Sequence, residues 1–417
     1  MSPRFPRVPE APPLRPSRRA FLECGAAALG ATVLTRRAAA APVPATLQAI
    51  PDQSGRVMTV RGLIDPSELG PTLMHEHLFI RFTLPTDQPE RWARLGLRVP
   101  ETPEELALWN QPFTVRDRLK LMGAFYRNQD AYNLDDVATA VAEVQAYQAL
   151  GGRTIVDVTT TGIGPHPEKI REVVERTGIN VVMGTGFYRY AWHPSDMARR
   201  SIDDLTAHMV RELTTGFGNT GIRAGIIGEI PAETIEFSPK ESDEVRVLRA
   251  AARASRLTGA AITVHSDLRR VHRLHTAVDV LEDAGADLSR VVLGHMTHEA
   301  AGQPDLLESL VARGVYVQFD ILGNPLDVEI PTRPMVDAIE RLIMRGHSER
   351  ILVSQDVCTK MQLLQNGGYG FTFVASILVP WLRRQGVPSP AIDNLLIHNP
   401  RRVLTFVAPD RAPQRPG

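Results

Sequence analysis

The sequence predicts an α/β fold: a (β/α)8 barrel behind a short N-terminal β extension. Strand-like apolar runs alternate with amphipathic helix-like runs through most of the 417 residues, as in parallel α/β folds. With the run around His75 they make eight units, the number that closes a barrel. No Gly-rich phosphate turn follows the first strand, which argues against an open doubly wound sheet.

In chain order, residues 1–45 stand apart. Pro and Arg dominate positions 3 to 19, ending in Ser17-Arg18-Arg19-Ala20-Phe21-Leu22. A modestly apolar run reaches Thr35, followed by Arg36-Arg37 and Ala38-Ala39-Ala40-Ala41. A charged region, an apolar region and a small-residue run make a signal peptide, and the twin arginine points to Tat export. The mature protein is therefore expected to be periplasmic or secreted. Cys24 lies inside this segment, so its removal leaves Cys358 alone and no intrachain disulfide. Residues 46–408 are expected to form the barrel and 409–417 a disordered tail.

Arg56-Val57-Met58-Thr59-Val60 is the β extension, and Thr72–Ile80 reads as the first barrel strand. Residues two apart on a strand share a face, so His75 and His77 would present two imidazoles side by side. From Arg81 to Arg118, with Pro85, Pro89, Pro100, Trp92, Trp109 and Phe113, the segment is too long for a plain connection. It reads as a folded cap in which Trp109 shapes a leaving-group pocket. Helical periodicity runs from Leu134 to Leu150. Further strands are expected at Arg153–Thr160, Asn180–Tyr188, Ala224–Ile230, Ala261–His265, Val291–His295, Val315–Ile321 and Ile351–Asp356. Helices are expected at Pro167–Arg176, Ile202–Thr215, Ser242–Leu257, His275–Ala284, Pro304–Ala312 and Pro334–Met344. Gly178, Gly259, Gly285, Gly314 and Gly346 follow several of them as stops, and Phe371–Arg384 closes the ring.

Composition narrows the partners. Lys+Arg and Asp+Glu number 47 each, so nothing favours nucleic acid. No run of 18 or more apolar residues suits a membrane span in the mature chain. A small-molecule substrate is expected, and a homodimer is left open.

The ligand-type residues collect at strand ends. His265, His295 and Asp356 end their strands and Glu229 lies near the end of its own, the rim where barrel active sites are built. Buried charge is costly unless paired or metal-bound, so packing is a poor explanation for the set. Its N/O ligands suit two borderline divalent ions, zinc first, with manganese, iron or cobalt as alternatives. His75, His77 and Asp356 would hold one ion, His265 and His295 the other, with Glu229 bridging. Such a pair makes hydroxide at neutral pH and polarises a carbonyl or phosphoryl oxygen, so the reaction class is metal-assisted hydrolysis.

The chain resembles the phosphotriesterase family of the amidohydrolase superfamily. The matching runs are Gly70-Pro71-Thr72-Leu73-Met74-His75-Glu76-His77, Arg153–Val158, Thr220–Ile227, Thr263-Val264-His265, Leu293-Gly294-His295, Val353–Asp356 and Asn399-Pro400. The resemblance implies a barrel with a two-metal centre, usually zinc, whose bridging hydroxide attacks an ester, lactone or organophosphate. It implies that Asp356 takes up the proton. Ile227-Gly228-Glu229-Ile230 stands where well-known members carry a carboxylated lysine, so Glu229 is like the bridging glutamate of the phosphotriesterase-homology and phosphotriesterase-related branches. Strand alternation puts Glu229 on the wrong face for that role, which requires a bulge or twist there. His298 stands where phosphotriesterases have an acid in a proton relay. Phe319-Asp320-Ile321-Leu322 lacks the seventh-strand histidine or arginine of phosphotriesterases and lactonases. Tyr188 resembles a lactonase tyrosine near the hydroxide, Asp157 and Asp320 read as supporting or structural groups, and His272 and His275 as loop decoration. An N-acyl amide hydrolase is the alternative within enzymes, and a non-catalytic metal-binding barrel the alternative outside them.

Overall fold

Parallel pairing of eight strands, each beside the next in chain order from Thr72–Glu76 through Thr154–Asp157, Asn180–Thr185, Ile226–Pro231, Ile262–His265, Val291–Leu293 and Tyr316–Phe319 to Ile351–Val353, dominates the computed structural model of the chain. Residues 50–121, 126–233, 242–266, 270–324 and 331–410 are described, all within the unit Val43–Gln414. The expected signal segment, 1–45, and residues 411–417 of the expected tail lie outside them. The chain is still docked at Asp410, whose carboxylate sits 2.8 Å from Arg256 Nη2, two residues past the expected boundary.

The β extension is a hairpin of β1 (Val57–Thr59) and β2 (Gly62–Ile64). Val60 N–H ties it to the barrel by donating to Val181 O at 2.9 Å. After β3 (Thr72–Glu76), the short strands β4 (Ile80–Arg81) and β5 (Asn133–Leu134) pair antiparallel. The cap is thus an excursion pinned at its base. Two of its helices, Pro89–Ala93 and Pro103–Asn110, start with Pro at the first turn, where the missing N–H costs nothing.

The remaining barrel strands are β6 (Thr154–Asp157), β7 (Asn180–Thr185), β8 (Ile226–Pro231), β9 (Ile262–His265), β10 (Val291–Leu293), β11 (Tyr316–Phe319) and β12 (Ile351–Val353). Met74, Val156, Val158, Val182, Ile226, Val292 and Leu352 fill the barrel interior, each worth roughly 1.5–3 kcal/mol by burial. Val57, Val403 and Leu404 join that cluster, the last two from the closing helix Asn399–Leu404. Buried Arg290 caps that helix, donating to Arg402 O (2.6 Å), Val403 O (2.7 Å) and Thr405 O (2.8 Å). A guanidinium there meets the carbonyls that a helix leaves unpaired at its C-terminus.

Glu76, between the two histidines, closes the ring. Its Oε1 accepts from Ser354 Oγ (2.7 Å) and Gln355 N (2.9 Å), and its Oε2 from Val357 N (2.8 Å). These bonds join β3 to the turn after β12. Burial pushes the Glu76 carboxyl up to about 8 despite the donors around it. No helix among the described residues is long and apolar enough to cross a membrane.

Candidate metal centre

Two strands gain an extra residue where they carry ligands. Along β8, Ile227 faces Ile262 but Ile230 faces Val264, so three steps oppose two. That is the bulge Glu229 requires. Gly228 makes it possible: its φ is 120°, and a Cβ there would sit 2.2 Å from Thr263 O. A similar shift falls between Leu73 and Glu76 on β3.

Six expected strands end early, three of them just before a ligand-type residue. β3 stops at Glu76, β10 at Leu293 and β12 at Val353, so His77, His295 and Asp356 stand just beyond the ladder rather than inside it. His295 (φ 58°) and Asp356 (φ 51°) adopt the left-handed conformation, which costs non-glycine residues energy and clusters at functional sites. Each is held by its own N–H, His295 N donating to Asp320 Oδ1 (2.9 Å) and Asp356 N to His75 O (3.2 Å).

The six expected ligands converge. Glu229 Oε2 is 3.2 Å from His75 Nε2 and 3.5 Å from His295 Nε2, and its Oε1 is 3.5 Å from His77 Nε2. Asp356 Oδ1 lies 3.6 Å from His75 Nε2 and 3.3 Å from His77 Nε2. The His265 and His295 rings meet edge-on at 4.3 Å. His75, His77 and Glu229 offer donor atoms within 4.8 Å of one another, as do Glu229, His265 and His295, and a third group of His75, His295 and Asp356 spans the two. Glu229 belongs to both sets. His75 Nε2, His265 Nδ1 and Glu229 Oε2 are buried without hydrogen-bond partners, a costly state that coordination would relieve. The donor set therefore fits two divalent ions sharing Glu229.

Supporting groups orient the imidazoles. His77 Nδ1 is 2.8 Å from Thr159 Oγ1, while Asp320 reaches both His75 and His295. Burial alone would raise the Asp320 carboxyl, but the two imidazoles outweigh it and hold it below the ordinary carboxylate range. Asp157 is structural, accepting from Leu78 N (2.8 Å) and Thr159 N (3.1 Å). Glu76 escaped the sequence reading as a structural clasp, although its place between two ligands on β3 was the available signal.

Tyr188 stands at the rim, its ring edge-on to His265 at 5.4 Å, and burial raises its hydroxyl well above the ordinary value. Arg189 follows, with Nε 2.7 Å from Glu233 Oε1. His298 begins the short helix His298–Ala301 and is half-buried. No hydrogen bond or ion pair joins it to Asp356 among the described residues. His275 lies within the helix Arg273–Asp283 rather than on a loop, with Nε2 2.9 Å from Ser309 Oγ. Cys358 is half-buried.

Trp109 departs from expectation. It is 2 % exposed and packs edge-on against Trp92 at 4.9 Å. The cap cavity of about 240 Å³ is lined instead by Trp92, Leu97, Leu108 and Tyr126, with Arg98 and Arg127.

A parallel barrel whose C-terminal rim carries two histidine–carboxylate sites sharing one glutamate defines the class of barrel hydrolases with a two-metal centre. The chain belongs to the phosphotriesterase family, whose profile matches residues 55–404, and it is a hydrolase of that family. The N-acetyltaurine hydrolase of Homo sapiens is 31% identical over 362 residues, 85% of this chain and 99% of that protein. The enzyme of the same name from Dictyostelium discoideum is 31% identical over 378 residues, with the same coverage. Among solved structures, a resiniferatoxin-binding protein from Rhodobacter sphaeroides superposes with TM-score 0.74 at 37% identity, covering 84% of this chain and 95% of that one. The phosphotriesterase homology protein from Escherichia coli, solved with phosphate in its active site, gives 0.66 at 28% identity, covering 82% and 100%.

Proposed function

We propose that this chain is an exported two-metal amide hydrolase, with zinc resident, that removes the acyl group from a small N-acylated amine carrying an acidic tail. The observation that carries this reading is the Glu229-centred ligand set in a chain matching N-acetyltaurine hydrolases along almost their whole length. The ester, lactone or organophosphate expectation gives way to the amide alternative. The run Phe319-Asp320-Ile321-Leu322 at the end of β11 carries no histidine or arginine of the kind phosphotriesterases and lactonases have there, and its one charged residue, Asp320, is fully buried against the imidazoles.

Two divalent ions held here supply Lewis acidity and a water that deprotonates at neutral pH. His75, His77, His265 and His295 would hold them as neutral imidazoles, and Glu229 would offset their charge. Asp356 is the most open of the ligands, with 15 % of its side chain exposed against 0–5 % for the four histidines and Glu229. It is placed to take the proton of the attacking water and return it to the leaving nitrogen. The carbon–nitrogen bond breaks, and a free carboxylate and an amine leave. Tyr188 keeps its proton, so it can serve as a hydrogen-bond donor at the rim. Arg189, 17 % exposed, near Trp192 and held through Nε by Glu233, is the cation assigned to the acidic tail.

The test is a substrate panel on the metal-loaded protein: N-acetyltaurine, other N-acyl amino acids and aminosulfonates, γ- and δ-lactones, aryl esters and paraoxon. Free amine should be released with the highest kcat/KM, and Arg189→Leu should raise KM for acidic amides more than for neutral ones. Faster turnover of lactones or esters than of every amide would overturn the reading.

A further inference from the structure

Asp320 follows β11 directly and is fully buried. Its two oxygens serve one histidine from each of the two ligand sets that share Glu229: His75 from the set with His77, and His295 from the set with His265. Oδ1 accepts from His295 Nδ1 and from His295 N, both at 2.9 Å. Oδ2 lies 3.1 Å from His75 Nδ1 and accepts from Gln318 Nε2 at 2.7 Å. A proton held on Nδ1 leaves Nε2 as the free lone pair. Those two Nε2 atoms are the ones that face Glu229 Oε2, at 3.2 Å from His75 and 3.5 Å from His295. Four groups therefore form a closed circuit, with Glu229 in front of the two imidazoles and Asp320 behind them.

The arrangement is built rather than incidental. Gly294 leaves the room for it, since a Cβ there would stand 3.1 Å from Asp320 Oδ2 and 3.7 Å from His75 Nδ1. His77 leans elsewhere, on the Thr159 hydroxyl, and the unpartnered ring nitrogen of His265 is Nδ1 rather than Nε2.

We propose that Asp320 is a positioning residue that couples the two metal sites, setting the tautomer and basicity of one histidine in each so that the ions load as a pair. A single buried carboxylate can do this because it has two accepting oxygens and one charge to share between two cationic sites. An asparagine in its place accepts through one oxygen only, so it can support one histidine and must abandon the other. This inference rests on the two-metal reading of the centre, and the experiment separates the two.

Metal-free full-length protein is titrated with Zn²⁺ by calorimetry and with Co²⁺ by visible absorption, alongside ¹H spectra of the imidazole N–H protons. The wild type should take up two ions of similar affinity and show downfield Nδ1–H signals from His75 and His295. Asp320→Asn should keep one tight ion, bind the second about 10–100-fold more weakly and lose one of those signals. Asp320→Glu, which retains both oxygens, should recover part of the second affinity. Thr159→Val removes the hydroxyl that links His77 to Phe79 O and touches neither His75 nor His295, so it should weaken one ion and leave both signals in place. Gln318→Leu keeps the Asp320 charge but removes its third donor, and serves if the Asp320 variants do not fold. It should weaken the ion bound by His75 alone. A wild type that binds fewer than two ions overturns the two-metal reading and the coupling with it. A wild type that binds two, with Asp320→Asn or Gln318→Leu unchanged in both affinities, overturns the coupling alone.

Discussion

Glu229 brings its own two oxygens, whereas a lysine must first capture carbon dioxide to offer a pair. Reconstitution of metal-free protein is therefore expected to be indifferent to bicarbonate. Glu229→Gln should weaken both ions, because this one side chain contacts donors from both sets. Metal analysis after dialysis checks it, and full occupancy with activity intact would show that another residue is the bridge. A second residue-scale effect concerns Glu143, buried under the Gly367–Gly370 turn and accepting from Leu364 N at 2.8 Å. Burial raises its carboxyl from 4.5 to about 7, outweighing the backbone donors. The folded state thus holds its proton more tightly than the unfolded chain. That stabilisation is complete below the unfolded value and is lost as pH rises through about 7. Urea unfolding across this window should show wild-type stability declining relative to Glu143→Gln. Parallel curves for the two proteins would rule the effect out.

At the scale of elements, the cap and the barrel answer to different residues. The cap core is Trp92, Trp109 and Tyr126, with Trp92 to Tyr126 at 5.0 Å and Trp109 to Tyr126 at 5.5 Å. Trp109→Ala should cost about 3–5 kcal/mol locally. It should expose the cap to protease while metal content stays at the wild-type value. Leu108 lines the cavity, so Leu108→Phe should change the ranking of substrates by size with little loss of stability. A shift in ranking confined to the Trp109 variant would return the pocket-shaping role to that residue. The barrel strands themselves were legible as alternation, but their ends were not. His295 and Asp356 look like the last residues of strand-like runs, and the hydrogen bonds their own N–H groups donate to Asp320 Oδ1 and His75 O hold the left-handed turns there.

For the molecule as a whole, the expected leader makes a prediction that the barrel makes reasonable. Tat carries folded proteins, which suits a centre loaded with metal before export. Changing both Arg18 and Arg19 to Lys should leave active protein in the cytoplasm, and fractionation with an activity assay checks it. Equal periplasmic recovery of the double variant would remove the Tat reading. Metal removal acts on the same scale. Glu229, His75, His77, His265 and His295 are buried together, so chelation should lower Tm and re-addition restore it. An ion present at a thousand times its Kd contributes about 4 kcal/mol.

By itself the sequence determined the barrel, the rim and which six His and carboxylate residues meet there. Those follow from local facts: alternation of strand and helix, and His or carboxylate at the end of one apolar run after another. The bulge at Glu229 was also foreseeable, because strand alternation pointed the side chain the wrong way and Gly228 stood beside it. Tertiary structure alone decided what each remaining polar group serves. Asp320 is 245 residues from His75, and Glu76 some 280 from the turn it clasps. Nothing in their neighbourhoods along the chain says which oxygen will meet which nitrogen. Such pairings exist only once the ring has closed, when burial makes every unpartnered charge expensive.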